Sequence, residues 1–482
     1  MQISTAKWFP YNKGGSYRKW YGNNIYVINW EHNGDALKKE KKSVLRNKQY
    51  IFKKGITWTL LSSSCFGVRI LDSNSLFDTN GKSMFPEEKN QYYILALLTT
   101  KVAFEILKIL NPSMAFQVGD IARIPVVLNK QYVSQINILA EKSISISKAD
   151  WDAVETSWDF QRHPLLTYDT PRLADAYRAW QATCEERFCQ LRANEEELNR
   201  IFIDIYGLQD ELTPDVAERD VTVARIYDTK DDIPAGMKGN AYVLTRADVV
   251  RSLLSDAVGC MFGRYSLDTP GLVYAGGTFD TSKYPSFAPD DDAIIPICDE
   301  DYFPDDITGR FVAWLRAAYG DTCLQENLDF IATALGGKGS ALDTIRSYFL
   351  SDFYRDHCQR YQKRPIYWLC DAGRRNSFKA LIYIHRYDRD TMARLRTGYV
   401  YNQQEIYKNQ IDMLEQREAN AASNADRTRT RKQLKKMRDQ LDEIHAYEER
   451  VHHYADLRQP LDLDDGVKHN YTLFEDILAK IK

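Results

Sequence analysis

The chain changes character near residue 150, and that change limits it to folding as distinct parts rather than around one uniform core. Residues 1–160 use 17 Lys and 4 Arg, whereas residues 161–482 use 13 Lys and 30 Arg. Net charge divides in the same way. Residues 1–130 carry 19 basic against 9 acidic side chains, a net of +10, while residues 131–482 carry 45 against 58, a net of −13. Lys and Arg are not interchangeable where forked hydrogen bonding matters, so the two parts read as products of different sequence histories, an exchangeable module joined to a more constant body. A basic head steers a polyanion to one end of the molecule, although a solvated lysine-rich face has the same composition.

Within the basic part, Lys7 to Asn24 (KWFPYNKGGSYRKWYGNN) mixes aromatic rings and cations with a Gly-Gly pair and no acid. The mixture is unsuited to a hydrophobic core and reads as a nucleic-acid contact loop. Cations neutralise phosphates, Gly14 and Gly15 let backbone N–H groups approach, and flat rings stack on unpaired bases. The alternative is an aromatic surface turn. The expected phosphate contacts are Lys13, Arg18 and Lys19, with Trp20, Tyr21, Asn23 and Asn24 ordering the loop or reaching a groove.

The expected fold class is α+β: a small β-rich domain, then a largely helical body with a long helical tail, either a hairpin or coiled-coil-like. Four parts are expected: a basic β-rich domain over 1–130, a helical connector over 131–259, a mixed α/β body with long loops over 260–387, and a helical tail over 388–482. Residues 25–90 read as strands and turns, and Gln91 to Leu110 as a helix stopped by Asn111-Pro112. The segment ending in Ile124-Pro125-Val126-Val127 reads as a closing strand, and Thr213-Pro214-Asp215 as a helix start. Proline and glycine interrupt residues 260–310. A strand pair is expected around PIYWLC and ALIYIHRY. In the tail, Leu434, Met437, Leu441, Ile444 and Val451 follow heptad spacing, Ala421 to Asn424 offers a hairpin turn, and a last helix is expected from Phe474 to Ile481.

Base reading is expected on the strand-and-turn region Tyr50 to Lys82, with Lys53, Lys54, Thr57, Ser62, Ser63 and Arg69 presenting donors to base edges and Trp58 equally suited to the core. A second, sequence-independent contact is expected where Arg364, Arg374, Arg375, Lys379 and Arg386 gather around the strand pair. A buried hairpin with arginines paired to acids is the competing reading.

Several chemistries lack their residues. A methyltransferase needs a glycine-rich loop after a strand and, for adenine, an Asn/Asp-Pro-Pro-Tyr/Phe loop. Asn111-Pro112-Ser113-Met114 lacks the second proline and the stacking ring. Gly336 to Ser340 lacks phosphate-loop spacing. Pro214-Asp215 with Asp228-Thr229-Lys230 is a weak nuclease pattern, and His452, His453 and His469 have no cysteine partners for zinc. The eight cysteines lack close pairs, as expected of buried thiols in a reducing compartment. Without a signal peptide or an apolar run long enough to span a bilayer, the expected location is cytoplasmic, away from membranes.

Segments KWFPYNKGGSYRKWYGNN, GITWT…SSSCFGVRI…LFD, LNPSMAFQVGDIARIPV, KADWDAVETSWDFQRHPLL, RPIYWLC, ALIYIHRYDRDTMARLRTGYV and LDLDDGVKHNY together resemble the carboxy-terminal portion of the PglX family. These are the adenine-specific DNA methyltransferases of BREX (bacteriophage exclusion) defence systems. The resemblance implies a target-recognition domain and helical body that bind double-stranded DNA, with S-adenosylmethionine held by a methylating half not seen here and no cofactor bound by this chain. It further implies a methyltransferase catalytic domain or subunit as partner, with other BREX proteins. The competing class is a non-catalytic DNA-binding or scaffold protein of the same system.

Overall fold

The computed structural model describes residues 6–41, 43–61, 65–113 and 115–481. They pack as two compact units: residues 1–160 with 178–246, and residues 161–177 with 247–482. The first unit therefore runs past residue 130. Its core joins Trp20, Trp58, Val68 and Tyr93 to Ile136, Phe188, Leu198, Phe202 and Val221, so the helices Val133–Trp151 and Leu173–Tyr206 close the same interior as the strands.

In this first unit, β1 (Trp8–Asn12) pairs antiparallel with β2 (Val27–Asn29) and parallel with β5 (Leu76–Phe77). A second sheet places β3 (Gly55–Thr59) between β4 (Val68–Leu71) and β6 (Gly81–Met84), both antiparallel to it. A short parallel pair, β7 (Arg225–Tyr227) and β8 (Val243–Thr245), lies late in the unit. The alternating apolar and β-branched residues of GITWT and VRIL explain the central strands.

Three local expectations change. The helix expected from Gln91 to Leu110 is two, Gln91–Thr99 and Lys101–Leu110, because Thr100 is extended and caps the second by accepting from the Ala103 amide. The closing strand is a short helix, Val118–Ile121, with a single bridge between Leu61 and Ala115. Asn111 causes this: its Nδ2 donates to the Ala115 carbonyl and to Asp120, folding the segment back. No helix starts at Thr213-Pro214-Asp215. Asn199 donates to the Pro214 carbonyl, Lys101 to that of Thr213, and the Val216 amide to Glu196, which together hold the segment extended.

The second unit has the expected strand pair, β10 (Tyr367–Asp371) antiparallel to β11 (Lys379–Tyr383), with β9 (Ile294–Pro296) on the other side of β11. Helices Ile307–Tyr319, Leu324–Ala334, Ala341–Ser351 and Phe353–Arg360 belong to the same unit. The tail is a helical hairpin of Tyr401–Ala419 and Asn424–Leu457, turning where Ala421 to Asn424 predicts, with Leu434, Ile444 and Val451 buried and Met437 and Leu441 half-buried. The last helix is Val467–Thr472. Beyond it the chain runs beside β10, the Ala479 amide donating to the Leu369 carbonyl at 2.8 Å. All eight cysteines are free thiols. Among the described residues no helix is long and apolar enough to cross a membrane.

Candidate nucleic-acid interface

The Lys7 to Asn24 loop is built inward. The Trp20 amide donates to the Val68 carbonyl and the Ile70 amide to that of Trp20, so the loop adds a bridge beside β4. Trp20 sits at φ 70, a costly left-handed conformation for a bulky residue, and its indole donates to Glu195 at 2.8 Å. Gly22, at φ 123, is required where it stands, since a Cβ there would lie 2.6 Å from Arg18 Nε and 2.7 Å from the Trp151 ring.

The expected phosphate contacts Arg18 and Lys19 are corrected by this geometry. Arg18 is 6% exposed; it pairs with Asp150 at 2.8 Å and donates to the Tyr21 and Ser147 carbonyls. Lys19 is 5% exposed and its ammonium pairs with Glu195. Both charges are already neutralised, and a phosphate reaching either would have to displace a buried carboxylate. Trp20, Tyr21 and Asn23 are buried as well, Asn23 donating to the Ser16 carbonyl, and Asn24 is half-buried. Lys13 alone of the expected loop contacts is an exposed cation, with its ammonium over the Tyr26 ring.

The expected base readers divide similarly. Thr57 is buried, its hydroxyl accepting from Asn12 and donating to the Lys82 carbonyl. Arg69 is 1% exposed; its Nη1 donates to the Arg18 carbonyl, while Nε and Nη2 have no hydrogen-bond partner among the described residues. Burial, with the charge of Arg18 adding to it, pushes its pKa down to about 10. Neither Thr57 nor Arg69 can reach a base edge from inside the core. Ser62 and Ser63 lie outside the described residues. Lys53 and Lys54 are exposed, the first over the Tyr50 ring and the second bonded to the Tyr92 hydroxyl at 3.0 Å.

These two lysines end an exposed basic segment that the loop-centred reading missed. Lys38, Lys39, Lys41, Arg46 and Lys48 precede them, all exposed. Its signal was visible as DALKKEKKSVLRNKQYIFKK. Stacking of Tyr50 on Phe85 at 4.8 Å and a tilted contact of Phe52 with Phe9 at 5.3 Å anchor its end to the sheets. By contrast, the cavity of about 410 Å³ beside the loop is lined by Glu105, Glu195, Glu211 and Asp220 against Lys19 and Lys101, an acidic balance unfit for phosphate.

In the second unit, Lys379 donates to the Leu350 carbonyl, and Arg386 donates to the carbonyls of Asp290 and Asp291 over the Phe279 ring. These two serve the interior, which corrects their expected place in a surface contact. Arg364 is half-buried and bonded to Gln362, Arg375 pairs with Asp439 at 3.4 Å, and Arg374 is exposed.

Neither look-alike segment takes the form it imitates, a phosphate loop at Gly336 to Ser340 or a target-amine loop at Asn111. Gly336 to Ser340 joins two helices rather than a strand and a helix, and Asn111 commits its side chain to Ala115 and Asp120.

Over 98% of its length the chain is 42% identical to an adenine-specific methyltransferase PglX of Lacticaseibacillus casei (strain Zhang). The chain matches PglX along nearly its whole length. An adenine-specific methyltransferase BrxX of Escherichia coli O9:H4 (strain HS) is 37% identical over 99% of the chain. The chain spans 39% and 40% of these PglX-type relatives, in keeping with the carboxy-terminal portion to which the segments above point. No family model matches it.

Proposed function

We propose that this chain is the DNA target-recognition part of a BREX PglX-type adenine methyltransferase, binding duplex DNA for a methylating portion that it does not itself contain. The observation that carries this reading is the match of nearly the whole chain to proteins named adenine-specific methyltransferases, which supports DNA as the polyanion for the exposed cations Lys38, Lys39, Lys41, Arg46, Lys48, Lys53 and Lys54. Exposed lysines supply non-specific phosphate affinity, whereas the buried Arg18 and Lys19 shape the fold that presents them.

The test is fluorescence anisotropy on duplex DNA over a range of salt. Replacing Lys48, Lys53 and Lys54 by Ala is expected to weaken binding at any sequence and to flatten the log–log salt slope by about 0.9 for each phosphate no longer neutralised. Replacing Arg18 and Lys19 by Ala should instead lower the melting temperature at an unchanged slope. A slope that follows Arg18 and Lys19 and ignores the segment would return the interface to the loop.

Cofactor chemistry is assigned to the rest of such a protein. Titration of this polypeptide with S-adenosylmethionine in a calorimeter should give no saturable heat, and micromolar saturable binding would overturn the assignment.

A further inference from the structure

The first four turns of the helix Asn424–Leu457 differ from the rest of the acidic half. Arg427, Arg429, Arg431, Lys432, Lys435, Lys436 and Arg438 are all exposed. Thr430 and Leu434 turn inward; at about 100° per residue Arg429, Lys432, Lys435 and Lys436 fall on the opposite arc of the helix, while Arg427, Arg431 and Arg438 lie nearer its inward side. Three of them meet acids: Arg431 pairs with Glu418, Arg438 with Glu415 at 2.6 Å, and Lys436 with Asp299 at 2.9 Å. Arg427, Arg429, Lys432 and Lys435 have no acid within ion-pair distance among the described residues. The one acid in this run before Arg438, Asp426, accepts from the capping Ser423 hydroxyl.

A second element adds to the run. The turn between β10 and β11 is held against the same helix, where Glu443 accepts from the Arg375 amide at 3.0 Å and from the Ser377 hydroxyl at 2.7 Å, and Gln440 donates to the Arg375 carbonyl at 3.1 Å. Exposed Arg374 stands in that turn, at the end of the run marked by Arg438.

We propose that this helix face is a second, sequence-independent contact surface for the phosphate backbone of duplex DNA. It rests on the reading above that the chain holds duplex DNA. Residues 427–438 extend over roughly 16 Å of helix, enough to follow several phosphates, and arginine forks suit phosphate oxygens. Residues 424–438 contain no aromatic ring on which an unpaired base could stack, and Leu434 points inward rather than toward a bilayer, so single strands and lipid fit less well.

The experiment compares the full chain with its Arg427→Ala/Arg429→Ala/Lys432→Ala/Lys435→Ala variant by anisotropy on two unrelated duplexes at several salt concentrations. The variant is expected to bind both at least tenfold more weakly at low salt, with the slope reduced by about two to four units, near 0.9 per phosphate, and an unchanged melting temperature. Equal affinity and slope in the two proteins, with the unaltered chain binding DNA, would overturn this inference while leaving the reading of the first unit intact. Failure of the unaltered chain to bind either duplex would overturn both. Loss of binding confined to phosphatidylserine vesicles, with DNA binding unchanged, would assign the face to a membrane and overturn it as well.

Discussion

Replacing Glu195 by Ala is expected to cost the first unit about 3–5 kcal/mol, the range for removing one partner of a buried ion pair. The carboxylate serves two buried donors at once, the Lys19 ammonium and the Trp20 indole at 2.8 Å. Without it an ammonium that is 5% exposed faces the interior alone, and the left-handed backbone at Trp20 is no longer fixed by its indole hydrogen bond. For a unit of this size the melting temperature should fall on the order of 10 °C. Glu195→Gln should cost less, because its amide oxygen can still accept from the indole. A Lys19→Met/Glu195→Met pair should recover much of the stability, because two apolar groups leave no charge stranded. A shift of under 2 °C in Glu195→Ala would show that the ammonium finds water or another acceptor.

The same pair shows where sequence reading stops. KWFPYNKGGSYRKWYGNN looked like a surface loop because its neutralising acids, Asp150 and Glu195, lie far along the chain on helices that no local pattern links to it. Charge in a sequence marks where a cation is, not whether an acid has already claimed it. The α+β class, the strand pair and the tail hairpin were legible because each rests on local periodicity bounded by its own stop, such as Asn111-Pro112 or Ala421 to Asn424. The expected boundary at residue 130 had no such support. Ile136 and Phe202 pack into the core that Trp58 and Tyr93 begin, so a module cut at residue 130 would open that core. Arg427 to Arg438 was legible as charge and was absorbed into heptad spacing, since the pattern locating Leu434 inside says nothing of what the outer arc meets.

Acidification is expected to destabilise the second unit between about pH 6.5 and 4, and the sign follows from three histidines. His163 accepts from the Leu165 amide and lies 2.9 Å from the Ser252 hydroxyl; His357 accepts at Nε2 from the amides of Ile366 and Tyr367. Burial pushes His163 down to about 3 and His357 well below its ordinary value, and burial with the charge of Arg264 pushes His385 down to about 4. Each is neutral in the fold and takes a proton near pH 6.5 when unfolded, so its stabilisation is complete above that pH and is lost as pH falls toward the folded value. Two carboxyls oppose this. Burial and a hydrogen bond with Asp292 raise Asp290 to about 7, and burial raises Asp306, so both favour the folded form as pH drops. Three histidines against two carboxyls leave a net loss of stability as pH falls through the window, each proton of difference being worth about 1.4 kcal/mol per pH unit. Thermal melts from pH 7 to pH 4 measure it, and His385→Asn, which removes one titrating group without touching the backbone amides that donate to His163 and His357, should lessen the decline. A melting temperature that rises on acidification in the unaltered chain would mean that the carboxyls outweigh the histidines.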